Sequence, residues 1–266
     1  MKIRIVHETI YTFSSPVTRT VQYLRLTPRR DRCQHVLSWS VSGPDTLVDW
    51  VDGLGNRVTA ASEYLPGDRL HIHVEGVVET TDTGGVLPLD DGLPPLMFLR
   101  TSALTAPADT LRALAKPFRA VADREGPIPA LHGLMDAIAD RVPYTAGTTH
   151  AASTAAEALD HGVGVCQDHA HIFIACARLL GFPARYVSGY LAAGDGTMAS
   201  HAWGEAHVPL LGWVSFDPSN RQCATDAYVR LAIGHDYAGA RPVSGVRQGG
   251  GEEEMDVRLA VEQAQE

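Results

Sequence analysis

From residue 2 to about residue 80, apolar and polar positions alternate in short runs separated by turn residues. IRIVHETIYTF, VQYLRLTP, HVLSWSVSG, TLVDWVD, RVTAASEYL and RLHIHVEGVVET each carry the two-residue period of a half-buried strand. Runs this close together predict an antiparallel, sandwich-like β domain over 1–80, with Gly53 to Asn56 turning one hairpin. Between 81 and 107 the period disappears and Gly84, Gly85, Pro88, Pro94, Pro95 and Pro107 cluster, which predicts a linker or a strap between layers. A helical stripe follows at Leu111, Leu114, Phe118 and Val121, where Pro117 would kink or shorten the helix. A second helix is predicted over 129–142, with Leu131, Leu134, Ile138 and Val142 on one face, and a short third over 153–159.

The stretch GVGVCQDHAHIFIACARLL, 162–180, is the most informative in the chain. Turning about 100° per residue from Cys166, Ala170, Phe173, Ala177 and Leu180 fall on its own face, and Ile172, Ile174 and Leu179 widen the apolar surface. The helix should therefore be buried nearly all round, with only its N-terminal end at a cleft. A thiol there meets unpaired backbone N–H groups and the positive end of the helix dipole, which favour a thiolate. Gly181 and Pro183 end the helix, ARYVSGYLAA reads as a strand and GDGTMAS as a turn. HAWGEAHVPLLGWVSFDP then predicts two strands around a turn at Pro209 to Gly212, with His201 at the start and Asp217 at the close. YVRLAIG and MDVRLAVEQ predict further strands, assigned with the helices to an α+β unit over 108–266. The glycines between them lack the Gly-Lys-Ser/Thr of a phosphate loop.

Cys166, His201 and Asp217, in that order, match nucleophile, base and orienting acid. Each has a simpler explanation when taken alone. Cysteine often just fills a core, a strand histidine is often merely satisfied, and Asp before Pro is a common turn. Their joint occurrence around one helix start is what selects the chemistry. At these positions GVCQDHAH (164–171), PARYVSGYL, HAW (201–203) and WVSFDPSN (213–220) resemble the bacterial transglutaminase-like proteins of the papain-like cysteine enzymes. YTFSSPVTRTVQYLRLTPR, 11–29, is similar to the N-terminal β domain of that family, and GHDYAGARPVSGVRQGGGEE to its C-terminal segment. His169 departs from the pattern, standing where the family resemblance leads one to expect an aromatic such as Phe.

The resemblance implies an N-terminal antiparallel β domain followed by a papain/transglutaminase-like domain, helices packed on an antiparallel sheet. It also implies thioester chemistry on Cys166, with water as acceptor in a protease or amidase and an amine as acceptor in a transglutaminase. Hydrolysis of a peptide or amide is favoured, since no acidic calcium loop like that of animal transglutaminases is recognisable. A peptide-binding module with a vestigial triad is the contrasting reading. The backbone N–H of Cys166 is one expected oxyanion donor, and Gln167 and Tyr144 are chemically suited to supply another. Trp203 should wall the cleft or, more simply, pack beneath His201.

Composition narrows the field further. The 266 residues carry a net charge of −9, 45% hydrophobic and 20% charged side chains, which fits a globular chain and argues against a nucleic-acid partner. Arg29, Arg30 and Arg32 form only a local cluster, read as a solvated loop, and a basic cleft would have to come from Arg178, Arg185 or Arg221. Four cysteines at 33, 166, 176 and 223 do not make a disulfide framework, and neither a signal peptide nor a membrane-length apolar run is evident, so a cytoplasmic location off the membrane is expected. No cofactor or metal is expected. His169, His171 and Cys176 crowd the nucleophile segment, but His169 and Cys176 lie about 10 Å apart along a helix axis, too far to share an ion. His71 and His73 share a strand face, yet no third ligand lies near them in sequence, so a solvated sheet face is the reading.

Overall fold

The fold is described from a computed structural model, which describes residues 1–87, 92–192 and 198–263. Among the described residues the strands form two antiparallel sheets. The first is built on two long strands, β1 (Lys2–Leu24) and β4 (Arg57–Thr80), paired along nearly their whole length. β2 (Gln34–Ser42) and β3 (Thr46–Val51) share the outer edge of β4. Each long strand merges two of the runs predicted from sequence. Pro16 sits where the β1–β4 register shifts between Thr12 and Val17, and Pro66 where it shifts again between Val17 and Arg19, so the ladder is interrupted without ending either strand.

A short strand, β5 (Val86–Leu87), and a 3₁₀ turn, Pro95–Leu99, occupy the stretch expected to be a linker, of which 88–91 lie outside the described residues. The helices are α1 (Asp109–Glu125), α2 (Pro127–Arg141), α3 (Ala155–His161) and α4 (Cys166–Leu179). α1 continues through Pro117, which leaves the Ala113 carbonyl without its helical donor but does not end the helix. The second sheet has the order β5, β8 (Gly212–Phe216), β7 (Met198–Val208), β6 (Ala184–Ala192), β9 (Tyr228–Gly234). Most of the turn predicted between β6 and β7 falls on 193–197, outside the described residues.

The C-terminal strands differ from the sequence-based assignment to the 108–266 unit. After the short helix α5 (Tyr237–Ala240), β10 (Val243–Gly249) pairs with Val17 to Leu24 of β1, and β11 (Glu253–Gln263) pairs with Ile3 to Phe13. Both therefore complete the first sheet. Alternation gives a strand's period but not its partner, and here the free edge of β1 supplies the partner.

α4 is the hub of the second half. Phe173 and Ile174 share a core with Leu111 of α1, Leu134 and Ile138 of α2, Leu159 of α3 and Phe216 of β8. A side chain at Gly204 of β7 would meet the Phe173 ring at 2.6 Å, so glycine lets the helix lie directly on the strand. The other face of this sheet is covered in two ways. Ile3, Ile5, Ile72 and Val74 of the first sheet pack on Tyr190, Val229 and Leu231, completing the sandwich-like pairing of layers, while Leu87 and Phe98 of the strap pack on Trp203 and Trp213. His7 of β1 crosses between the sheets to bond Tyr190 Oη at 2.8 Å, and burial lowers its pKa to about 4.

Arg178, buried in the last turn of α4, fastens the strap. Its guanidinium donates to the carbonyls of Phe98, Ala184 and His235 and to Thr105 Oγ1. Arg185 is fully buried as well, so neither residue supplies a basic cleft; Arg221 is on the surface and pairs with Asp140.

Candidate active site

Cys166 is the first residue of α4 and is half-buried. The loop before it is pinned from two sides. Thr145 N donates to Gly164 O at 2.8 Å, and the buried Asp168 carboxylate accepts from Val165 N at 2.8 Å and Thr149 Oγ1 at 2.7 Å. Asp168 thus acts as a helix-start carboxylate that reaches back to the residue before the helix.

His201 lies on β7 opposite Gly189 of β6. A Cβ at Gly189 would collide with the Trp203 ring at 2.6 Å. The absence of that atom lets Trp203 lie flat under the site, fully buried and stacked on His201 with ring centroids 6.1 Å apart. Trp203 is therefore a floor for the imidazole rather than a cleft wall. The β7–β8 hairpin pairs Val208 with Gly212 and Gly204 with Phe216, a register that sequence could not supply. It carries Asp217, the residue after β8, to His201, whose Nε2 donates to Asp217 Oδ2 at 2.6 Å.

Asp217 is fully buried and its carboxylate is saturated with donors. Oδ2 also accepts from Asn220 Nδ2 and Tyr228 Oη, both at 2.7 Å, and Oδ1 accepts from Ser219 N at 3.0 Å. Burial would raise its pKa, but the bonds from His201, Asn220 and Tyr228 outweigh this and lower it. For His201, burial acts to lower the pKa, while the hydrogen bonds and charges of Asp217 and Cys166 raise it to about 10. The imidazole is thus held as an imidazolium at neutral pH, with Nε2 committed to Asp217 and Nδ1 left for Cys166.

Of the other residues expected from sequence, Tyr144 is exposed at the mouth of the site. Its phenol pKa is raised by partial burial and by the charge of Cys166, and its ring meets His169 edge-on. Gln167 directs its amide to Ala151 O at 3.4 Å, away toward the loop before α3. His169 is buried. Its Nε2 donates to Val142 O at 2.6 Å and its Nδ1 accepts from Ser219 Oγ at 2.8 Å, while burial keeps its pKa low. This histidine does what an aromatic could not, tying α4 to the end of α2 and to the loop that wraps Asp217. Sequence reasoning missed Asn220 and Tyr228. Asn220 stands within the DPSN turn and had a local signal, whereas Tyr228 arrives on β9 and had none.

Two family descriptions match the chain: the bacterial transglutaminase-like N-terminal region over residues 3–79 and the transglutaminase-like superfamily over residues 112–218. The chain thus joins a bacterial transglutaminase-like N-terminal region to a region of the transglutaminase-like superfamily. An uncharacterised protein of Mycobacterium leprae is 29% identical over 281 residues, spanning 98% of each chain. One from Mycobacterium tuberculosis is 29% identical over 276 residues, covering 92% of this chain and 87% of its own length. The crystal structure of a candidate cysteine protease from Cytophaga hutchinsonii matches 100% of this chain and 91% of that one, with a TM-score of 0.79 at 22% identity, and shares the fold. No helix among the described residues is long and apolar enough to cross a membrane.

Proposed function

We propose that the protein is a thiol-dependent amide or peptide hydrolase acting through Cys166, His201 and Asp217. The observation that carries this reading is the His201 imidazole, held at Nε2 by the buried, hydrogen-bonded carboxylate of Asp217 and coupled to a thiol at a helix start. The Cys166 thiolate attacks the carbonyl carbon, and the C=O electrons move to oxygen. The Cys166 backbone N–H, unpaired within the helix, stabilises that oxyanion. Collapse breaks the C–N bond as His201 gives its proton to the departing nitrogen, leaving a thioester and a neutral imidazole. His201 then takes a proton from water, hydroxide adds to the thioester, and the thiolate leaves as the carboxylic acid forms. All four cysteines are free, which supports a reducing, cytoplasmic setting.

Intact-mass spectrometry of pooled short peptides and amides, incubated with wild type or Cys166→Ala protein, tests this. Cleavage by wild type alone supports the hydrolase. Incorporation of an added amine with loss of ammonia moves the reading to acyl transfer, and a chain that turns over nothing and leaves Cys166 unacylated is a binding module.

Turnover should fall as pH rises through about 10, because His201 then lacks the proton owed to the leaving amine. The same raised pKa stabilises the fold, fully below the unfolded imidazole value of about 6.5 and progressively less up to about 10. An alkaline limb of kcat near neutrality would contradict this assignment.

Asn220 is a positioning residue in this scheme, since it bonds Asp217 Oδ2 and lies 3.4 Å from His201 Nε2. Asn220→Ala should lower kcat about tenfold with KM nearly unchanged, the size of one hydrogen bond to a charged group. Unchanged kcat would reduce Asn220 to a turn residue.

A further inference from the structure

His71 and His73 lie two residues apart on β4, on the face of the first sheet opposite the one packed on β6 and β9. The pairing of β1 with β4 sets Glu8 directly across from His73. Glu8 Oε1 is 3.5 Å from His71 Nε2 and 3.5 Å from His73 Nδ1, and one ligand atom from each of the three lies within 4.8 Å of the others. Donors around a tetrahedral zinc ion, with bonds of about 2.0–2.2 Å, stand about 3.4 Å apart. The third ligand, which has no counterpart near the two histidines in sequence, is thus supplied across the β1–β4 ladder and is visible only through its register.

We propose that Glu8, His71 and His73 form a binding site for a divalent transition-metal ion, zinc foremost. Two neutral imidazoles and one carboxylate suit zinc and disfavour magnesium or calcium, which seek all-oxygen shells. The ring of His73 has a second carboxylate on its far side. Glu75 Oε2 is 3.8 Å from His73 Nε2, and Arg4 holds Glu75 at 2.6 Å. A carboxylate behind a metal-bound histidine fixes the ring and increases its donor strength, and a modest approach of Glu75 would complete that relay. The three ligands stand partly open to solvent beside a groove formed with Ser42, Gly43 and Arg69, so the fourth position is left to water or a small ligand. The site uses none of the residues assigned to thiol chemistry and does not depend on that reading.

The test is calorimetric titration of metal-stripped protein with zinc chloride, in wild type and in Cys166→Ala, the second to remove the reactive thiol as a competing ligand. One equivalent should bind in both. His71→Ala/His73→Ala should abolish that equivalent, and Glu8→Gln should weaken it by about tenfold or more. These side chains are partly exposed, so far-UV circular dichroism should show all variants folded. Cobalt substituted into the Cys166→Ala protein should give tetrahedral visible bands without thiolate charge transfer. Zinc binding that survives the double His variant, a thiolate band from Cys223 beside His132, or no saturable equivalent would overturn the proposal.

Discussion

Alanine at Cys166 is expected to remove turnover of every substrate the wild type processes, by at least about 10⁴-fold, while leaving the protein folded. The thiol is half-buried at the first position of α4 and only borders the core that Phe173, Ile174 and Leu134 build, so its loss costs the fold little. What disappears is the bond-forming atom, and no neighbour can replace it. Cys223 is the other cysteine that is not fully buried, but burial raises its pKa, and Cys33 and Cys176 are raised to about 12. The substitution should also lower the pKa of His201, because the charge and hydrogen bond of Cys166 are among the causes that raise it. NMR titration of the His201 ring in the two proteins measures this directly. Retained turnover in Cys166→Ala would end the thiol mechanism, and an unchanged His201 titration would separate the two residues electrostatically.

How much of this was legible beforehand follows from the range of each interaction. The burial of α4 and the position of Cys166 at its start are local, and both are written in the spacing of Ala170, Phe173 and Ala177. The His201 and Asp217 strands were equally visible as a hairpin, but the pairing of Gly204 with Phe216 decides whether the two side chains meet. A one-residue slip would send one of them to the opposite face. The runs that merge into β1 and β4 look separate in sequence because a proline such as Pro16 or Pro66 fits both a strand end and a bulge within a longer strand. β10 and β11 were readable as strands and not as partners of β1, since nothing in an alternating run names its neighbour. Tyr228, Glu8 and Glu205 each make contacts with residues beyond their own strands, and each looks ordinary in its own stretch of sequence.

Glu205 shows how large a consequence such a hidden contact carries. It is fully buried on β7, on the same strand face as His201 and Trp203 by the two-residue alternation. Its Oε2 accepts from Arg185 Nε at 2.6 Å and its Oε1 from Arg230 Nε at 2.8 Å. Arg230 also donates to Asp31 Oδ2 at 2.5 Å, in the segment between β1 and β2, so the network joins the two sheets. Arg185 in turn lies 3.8 Å above the Trp213 ring. Burial would raise the pKa of Glu205, yet the Arg230 and Arg185 charges lower it, so the carboxylate stays ionised. Its contribution to stability is therefore complete above the unfolded value of about 4.5 and is lost as pH falls through the folded one. Glu205→Ala would remove the carboxylate that both buried guanidinium groups bond. Breaking a buried pair from one side costs about 3–5 kcal/mol, against a total stability of about 5–15 kcal/mol for a typical domain. The variant should unfold at a much lower urea concentration than wild type or fail to accumulate as soluble protein. Glu205→Gln, which keeps the shape and one carbonyl acceptor, should fall between them. A Glu205→Ala protein within about 1 kcal/mol of wild type would mean that water or a shifted Asp31 restores the charge balance.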